Sequence, residues 1–446
     1  MKIKFLGGVE TVTGSLYLLQ IKNYNILIDC GLFQGTDFLE KRNFELIDFE
    51  PDYIIITHAH LDHIGRLPYF FKNFVKKPKI LSTEPTKELA RIILQDSAKI
   101  LKEKSETLGL ESIYDLNDIE PLFDFWEVFP YKVKISLPFG EVVFFDAGHI
   151  LGSSFVLIKA EEKRIVFSGD LGNNYCQLLN PPDELPSADF LVLESTYGGR
   201  IHEDKKTRLS RLEDLVEEVV KNKGVLLIPI FAIEKSQEII YDLYSLITEF
   251  KVPSLPIFLD SPLAYLAFGI YKNYFHYLSK QARPFFDKIN HIFNQKFVIP
   301  ILNSADSYSL ANIPNPKVIL AGSGMSNGGR ILRHEKKYLS DPNTILLLVG
   351  FQAKGSLGRK ILDGEKEVEI ESEKVRVKAK VETIFSYSLH ADQKQLLDWI
   401  YPQRLKLKKI FLVHGEEKEK EILRSLIIDN YAVEALMPKE GDIFDL

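Results

Sequence analysis

Six consecutive residues, His58-Ala59-His60-Leu61-Asp62-His63, carry four groups able to ligate a metal. They follow the apolar run Tyr53–Ile56, which reads as a strand with Thr57 at its end. On an extended chain residues two apart point the same way, so His58 and His60 can share one cation. Asp62 and His63 can face a second position once the chain turns into a helix. Crowding three imidazoles and a carboxylate this closely is costly unless a cation offsets it, and nitrogen and oxygen donors of this kind suit zinc. Two later residues can complete the shell. His149 lies in Asp146–Ser153 and Asp170 in Ser168-Gly169-Asp170-Leu171-Gly172, each directly after a strand pattern. Either one alone reads equally well as a turn residue. A carboxylate flanked by glycines can also approach and bridge two cations.

Such a site needs a scaffold. In the first 185 or so residues, Met1–Leu6, Ser15–Gln20, Tyr24–Asp29 and Tyr53–Ile56 read as strands, and Thr86–Lys104 has helical periodicity. Glu141–Asp146, Ser154–Ala160 and Lys163–Ser168 resume the strands, with a tight turn at Glu161-Glu162. Leu179–Pro186 holds three prolines and is a connector. The rhythm then changes. Leu191–Leu193, Gly224–Pro229, Ile257–Leu259, Val318–Ala321 and Thr344–Val349 are short apolar strands. The amphipathic stretches Arg208–Lys221, Ala232–Leu246 and Leu263–Phe275 alternate with them, the signature of a mainly parallel α/β sheet. The charged alternation of Gly364–Lys380 predicts a surface hairpin, Gln393–Ile400 a helix and Lys409–Val413 a strand.

The chain has 446 residues, 45% hydrophobic and 26% charged, which is a soluble globular composition with room for two domains. A net charge of -6 gives no hint of a nucleic-acid partner, but local patches rather than the sum decide that. Two cysteines, Cys30 and Cys176, point to a reducing compartment. No apolar run reaches the roughly 18 residues of a membrane span and no targeting segment is visible, so the expected location is the cytoplasm.

The run His58–His63 matches the His-x-His-x-Asp-His pattern of the metallo-β-lactamase superfamily, and the match extends to Asp29, His149 and Asp170. The chain resembles that superfamily, which implies an αβ/βα four-layer sandwich with two metals between the sheets. By this resemblance one zinc takes His58, His60, His149 and Asp170. The other takes Asp62, His63, the bridging Asp170 and a late histidine. Two Zn2+ per chain are implied, with Mn2+ as the alternative metal, and Asp29 orients ligands or metal-bound water. The later sequence is similar to the β-CASP nucleases, the RNA-processing branch that includes cleavage-and-polyadenylation-specificity-factor-like ribonucleases. The motifs are Glu194 after its strand, Pro229-Ile230-Phe231-Ala232 with Gln237-Glu238, Asp260–Ala264, Ala321–Met325 with Gly328-Gly329, and Gly350–Ala353 with Arg359. His390 in Phe385–Asp392 and His414 in Leu412–Glu416 match the two late histidines. The resemblance covers essentially the whole chain. It implies a metallo-β-lactamase domain in two parts, 1–189 and 361–446, around a β-CASP insert at 190–360. It makes His414 the late ligand and assigns protonation of the leaving oxygen to His390, supported by Glu194. Glu234 and Lys235 depart from the family, which has a small residue and an arginine there.

The chemistry implied is hydrolysis of a phosphodiester. Two cations about 3.5–4 Å apart would hold a bridging hydroxide for attack on phosphorus and neutralise the phosphoryl oxygens. Asp62 and Asp29 belong to this catalytic set together with His390 and Glu194. The loop Gly322–Gly329 has small residues whose amides can approach a phosphate, with Ser323, Ser326, Gly328 and Gly329 as candidate contacts. Lys235, Lys354 and Arg359 are candidate cations along the substrate path. The expected protein is a zinc-dependent ribonuclease acting on single-stranded RNA, as an endonuclease, an exonuclease or both, and the resemblance allows a homodimer. The alternatives are a DNA nuclease of the same family, a small-ester or thioester hydrolase, and a catalytically inactive RNA-binding subunit. The ester hydrolase has no need of the insert, and the inactive subunit has no need of a complete ligand set.

Overall fold

The computed structural model describes residues 1–35, 37–108, 111–249, 251–294, 297–353 and 355–446. The chain forms two units. The first comprises Met1–Asn174, Asn180–Ile201 and His390–Leu446, the second Tyr175–Leu179 and His202–Leu389.

The first unit is built on two seven-stranded sheets. Neighbouring strands in one are Ile443–Asp445, Lys2–Gly7, Leu16–Ile21, Tyr24–Ile28, Tyr53–Ile55, Lys79–Ser82 and Trp126–Val128. In the other they are Glu434–Leu436, Lys409–Val413, Phe190–Glu194, Lys163–Phe167, Ser154–Ala160, Gly140–Asp146 and Ile135–Leu137. The sheets face each other across a core of Phe5, Tyr17, Ile28, Phe144, Phe167 and Phe411, among others. Strand alternation shows why the central strands are apolar throughout. Phe190 and Val192 enter this core, whereas Leu191 and Leu193 enter a second one. The neighbouring strand does the same, with Phe411 and Val413 on one side and Ile410 and Leu412 on the other. The second core is closed by Leu396 and Ile400 of the helix Gln393–Ile400 and by Leu423 and Ile427 of the helix Glu417–Tyr431. Each fully buried side chain of this kind is worth about 1.5–3 kcal/mol. On the outside of the first sheet, the helix Glu84–Leu108 buries Leu89, Ala90, Ile93 and Leu94. The layers are therefore helices, sheet, sheet, helices, as the four-layer sandwich requires.

The turn expected at Glu161-Glu162 is present, with both residues at positive φ, as a two-residue hairpin between twisted strands demands. Glu371-Ser372 does the same in the hairpin of Glu367–Ile370 with Glu373–Arg376.

The second unit has a six-stranded parallel sheet, ordered Val298–Pro300, Ile257–Asp260, Lys317–Ala321, Val225–Pro229, Thr344–Leu348 and Lys380–Thr383. Its last strand carries the unit past residue 360, the boundary expected from sequence. Its start lies beyond 190, because Phe190–Glu194 pairs with strands of the first unit on both sides. The helix expected from Ala232 begins only at Lys235. The Lys235 N–H donates to the Ile233 carbonyl at 2.9 Å with Glu234 at φ 66° and ψ -55°, a γ-turn that holds the chain out of the helix. Both cysteines are free thiols, and none of the described helices is long and apolar enough to cross a membrane.

The glycine-rich segment after Lys317–Ala321 rests on a buried acid. Ser326, at φ 57°, donates its hydroxyl to Glu335 Oε1 at 2.5 Å, and burial pushes the Glu335 carboxyl up to about 8. A carboxyl raised in the folded state binds its proton more tightly than the unfolded chain does. Stability from this group is present below the unfolded value near 4.5 and is lost as pH rises towards 8. Glu335→Gln keeps the acceptor for Ser326 and removes the titration. Its melting temperature should match wild type near pH 4.5 and exceed it at pH 7.5, corresponding to on the order of 3–4 kcal/mol of unfolding free energy. Thermal melts at the two pH values check this, and an equal offset at both would contradict it.

Candidate metal centre

The site grows from strand ends. Asp29 follows Tyr24–Ile28 and His58 follows Tyr53–Ile55, two parallel neighbours of the first sheet. Asp170 follows Lys163–Phe167, Glu194 ends Phe190–Glu194 and His414 follows Lys409–Val413, three parallel neighbours of the second. Gly140–Asp146 runs the same way, being two antiparallel steps from Lys163–Phe167, and delivers His149. Side chains of both sheets thus converge at one end of the sandwich.

Backbone contacts hold the His58–His63 segment. The amides of Ser15, Cys30 and Leu32 donate to the carbonyls of Asp62, His63 and Leu61 at 2.9, 2.6 and 2.8 Å. A Cβ at Gly31 would lie 1.7 Å from the Asp62 carbonyl oxygen, so this close packing admits only glycine. Asp29, itself at φ 60°, accepts the Thr57 N–H at Oδ1 and the Thr57 hydroxyl at Oδ2, both at 2.8 Å. Its Oδ2 also lies 2.7 Å from His63 Nδ1. The carboxylate accepts only, so His63 carries its proton on Nδ1 towards Asp29. Thr57 has spent its proton on Asp29, so at 3.1 Å it accepts from His58 Nδ1. In both histidines Nε2 is left to face the site.

The ligand atoms then sort around one carboxylate. Asp170 Oδ2 lies 3.4 Å from His58 Nε2 and 3.5 Å from His149 Nε2. Its Oδ1 lies 3.4 Å from His63 Nε2 and 3.6 Å from His414 Nδ1. His414 Nε2 is 3.3 Å from Asp62 Oδ2 and 3.4 Å from His63 Nε2. His58, His60, His149 and Asp170 form one metal-sized cluster, and Asp62, His63 and His414 another. His58 Nε2, His60 Nε2 and Asp170 Oδ1 are buried without a hydrogen-bond partner, an expensive arrangement that a divalent cation would relieve. The donor set fits a metal on these grounds.

Electrostatics divides the same residues. Burial pushes His58 down to about 3 and His60 down to about 4, and burial with His390 nearby holds His149 well below the usual imidazole range. These three are neutral and need lose no proton to ligate. Burial also opposes charge on His63 and His414, but Asp170 with Asp29 or Asp62 outweighs it and raises both. Burial alone would raise Asp170 and Asp62, yet the surrounding imidazoles hold both carboxyls below the usual range.

His390 stands beside this group. Its Nδ1 is 3.1 Å from Glu194 Oε1 and 3.9 Å from Asp170 Oδ2. Glu194 is buried and accepts the Leu171 and Thr196 amides at 2.9 and 3.2 Å. It is thereby fixed as an acceptor for His390 Nδ1. A bridge between Gly172 and His390 and the Ala391 amide bond to Leu171 at 2.7 Å hold the segment in place.

All the sequence-expected metal and acid–base residues are thus brought together. The expected phosphate contacts lie in the second unit. Ser323 is half-buried, Gly329 is exposed, and the loop closes by the Ser323 N–H donating to the Gly328 carbonyl at 3.1 Å. Ser326 is buried on Glu335, and Arg359 is paired with Asp363 at 2.9 Å. Lys235 is buried and donates to the Val349 carbonyl at 3.1 Å over the Phe231 ring, and burial pushes it down to about 7. Its ammonium is not presented to solvent. Lys354 lies outside the described residues. Sequence reasoning missed Thr57 and Thr196, whose hydroxyls meet the Nδ1 atoms of His58 and His414 at 3.1 Å each. The only local signal was their place beside a ligand and beside Glu194.

Similarity to known proteins runs along nearly the whole chain. Residues 10–220 match the metallo-beta-lactamase superfamily, residues 236–361 the Beta-Casp domain, and residues 374–438 the Zn-dependent metallo-hydrolase RNA specificity domain. The chain is 36% identical to Ribonuclease TTHA0252 of Thermus thermophilus over 430 residues, 96% of each chain. It is 30% identical to an RNase J-like protein of Methanocaldococcus jannaschii, covering 100% of this chain and 99% of that one. It is 32% identical to transcription termination factor FttA of Methanothermobacter thermautotrophicus, covering 98% of this chain and 70% of that one. A crystal structure of a protein of unknown function from Enterococcus faecalis V583 shares the fold, with a TM-score of 0.58 at 15% identity over 100% of this chain and 99% of that one.

Metal uptake should release protons. His63 and His414 hold protons in the metal-free protein and must give them up to ligate. Zinc affinity, measured against a competing chelator, should therefore rise with pH between 6 and 7, by about tenfold per pH unit for each proton displaced. Affinity independent of pH over that interval would contradict the charge assignment.

Proposed function

The chain belongs to the β-CASP family of the metallo-β-lactamase superfamily, and from that premise we propose that it is a zinc-dependent ribonuclease hydrolysing phosphodiester bonds of single-stranded RNA. The observation that carries the reading is the His390–Glu194 pair, with His390 Nδ1 standing 3.9 Å from Asp170, a ligand of the first cluster whose other oxygen faces His63 and His414 of the second. Relatives named as ribonucleases along nearly the whole chain supply the substrate class.

His58, His60, His149 and Asp170 would hold one zinc, and Asp62, His63, Asp170 and His414 the other. Bound metal supplies positive charge against the phosphate and lowers the pKa of a water. The protein supplies the rest. Asp29 and Thr57 keep the Nε2 atoms of His63 and His58 directed into the site. Glu194 holds His390 by Nδ1 and orients its ring, so that Nε2 can give a proton to the leaving oxygen. In the second unit, Ser323, Gly328 and Gly329 follow Lys317–Ala321, and Phe231 follows the adjacent parallel strand Val225–Pro229. A Cβ at Gly324 would lie 2.4 Å from the Phe231 ring, so the aromatic rests directly on the loop. The chain leaves these two strands in opposite directions across the sheet, towards Ile257–Asp260 from one and towards Thr344–Leu348 from the other. The carboxyl ends of strands at such a switch are the usual ligand position in an open α/β sheet. This supports a phosphate or nucleotide contact there, with Arg359 and Lys354 as nearby cations in sequence. Lys235 backs the site from within the core. The same reading places the protein in the cytoplasm.

The test is cleavage of end-labelled single-stranded RNA with and without chelator, beside a thioester substrate. RNA should be cleaved only with metal present, and the thioester left intact. A ladder of products marks endonuclease action or distributive trimming, and immediate release of one labelled nucleotide marks an exonuclease. Asp62→Ala should abolish cleavage while RNA binding persists, and His390→Ala should lower kcat by about 10²–10⁴-fold. Full activity in Asp62→Ala, or preferential hydrolysis of the thioester, would overturn the reading.

A further inference from the structure

The segment Glu194-Ser195-Thr196 touches both halves of the chemistry. Glu194 holds His390, and the next two residues grip His414. The His414 backbone is at φ 49°, a left-handed conformation that a histidine adopts only when its surroundings impose it. Its amide donates to the Gly8 carbonyl at 2.7 Å, and its carbonyl accepts the Ser195 amide at 3.2 Å. The Ser195 hydroxyl donates to the Val413 carbonyl at 2.6 Å. Thr196 completes the grip with one atom. Its Oγ1 donates to the His414 carbonyl at 3.2 Å and lies 3.1 Å from His414 Nδ1. A hydroxyl has a single proton, and here the carbonyl takes it. What Oγ1 offers the ring is a lone pair, so His414 carries a proton on Nδ1 and its Nε2 is turned towards Asp62 and His63. Thr196 is buried, which keeps water from substituting for it.

We propose that Thr196 is a positioning residue that sets the tautomer and ring direction of His414 and thereby the affinity of the second metal position. Asp29 does this for His63 and Thr57 for His58, so the device is used three times in the site. Thr196 differs in bonding ring and backbone of the same residue. The hydroxyl therefore couples the strained turn at His414 to the ligand it presents. The inference rests on the two-metal reading above.

The experiment is stepwise zinc titration of metal-free protein against a chromophoric chelator, with melting curves of the metal-free proteins alongside. Wild type should take two equivalents. Thr196→Val should take the first with unchanged affinity and the second about 10- to 100-fold more weakly, and Thr196→Ser should restore it. Metal-free melting temperatures should agree among the three proteins. Should the valine not fold, Thr196→Ala removes the same hydroxyl without the branch, and the same loss is expected. Two undiminished affinities in the hydroxyl-free variant, or a loss that serine does not restore, overturn the role of Thr196. A lowered melting temperature with both affinities intact makes it a plain structural cap and overturns the role equally. Wild type taking fewer than two equivalents overturns the two-metal reading itself and leaves the variants no second affinity to change.

Discussion

One buried carboxylate organises the molecule. Asp170 is almost fully enclosed, and its two oxygens face different clusters of imidazoles. A buried anion of this kind demands positive charge beside it, which His63 and His414 supply in the metal-free protein. The protein meets that demand from both sheets. His58 and His63 come from the first and His149 and His414 from the second, with Asp170 itself from the middle of the second. The sandwich must therefore close to sub-ångström register for the site to exist. That is a reason for the density of the inter-sheet core, where Phe5 packs on Phe411 and Tyr17 on Phe167 directly beneath the strand ends.

The backbone bears the strain of this convergence. Asp29 and His414 both adopt positive φ immediately after a strand, where chain direction must change within one residue. Each such conformation costs on the order of 1–3 kcal/mol and persists only when several bonds over-determine it. Asp29 is held by three donors and His414 by two backbone bonds and a hydroxyl. The stability of the hydrophobic layers is what lets these two positions remain strained.

Legibility in the sequence followed the same division. The His58–His63 run was visible because ligands four deep in six residues have no structural purpose, and central strands such as Leu191–Leu193 and Lys409–Val413 were visible as short apolar runs. Three-residue strands such as Trp126–Val128, Ile135–Leu137 and Glu434–Leu436 were not visible, since a single apolar alternation is too short to register and the pairing is supplied by a neighbour. The late start of the helix at Lys235 was hidden because Glu234 is a good helix former, and only tertiary contacts such as its carboxylate with the Tyr271 hydroxyl keep it in a γ-turn. Lys235 reads as a surface cation by type, and its burial depends on the distant Val349 carbonyl. The compact second unit runs past 360 because the surface hairpin precedes the last strand of its parallel sheet, whereas the Beta-Casp match itself ends at residue 361. Thr57 and Thr196 are small, common residues whose meaning lies wholly in which imidazole they face.

A second buried charge cluster clarifies what makes the first one chemical. Arg208, fully buried, lies 3.2 Å from Asp242 and 3.5 Å from Glu238, and Tyr387 donates to Asp242 at 2.7 Å. Burial raises both carboxyls, and the guanidinium opposes that rise. Arg208 cannot release its proton at any accessible pH, so the positive charge of this network is permanent and serves as a fixed tie within the second unit. At Asp170 the positive charge is imidazolium on His63 and His414, which can be exchanged for a cation of higher charge without moving a side chain far. Both clusters satisfy the same electrostatic constraint. Only the one built on histidine can do so in more than one way, and that freedom is what a hydrolytic metal site requires.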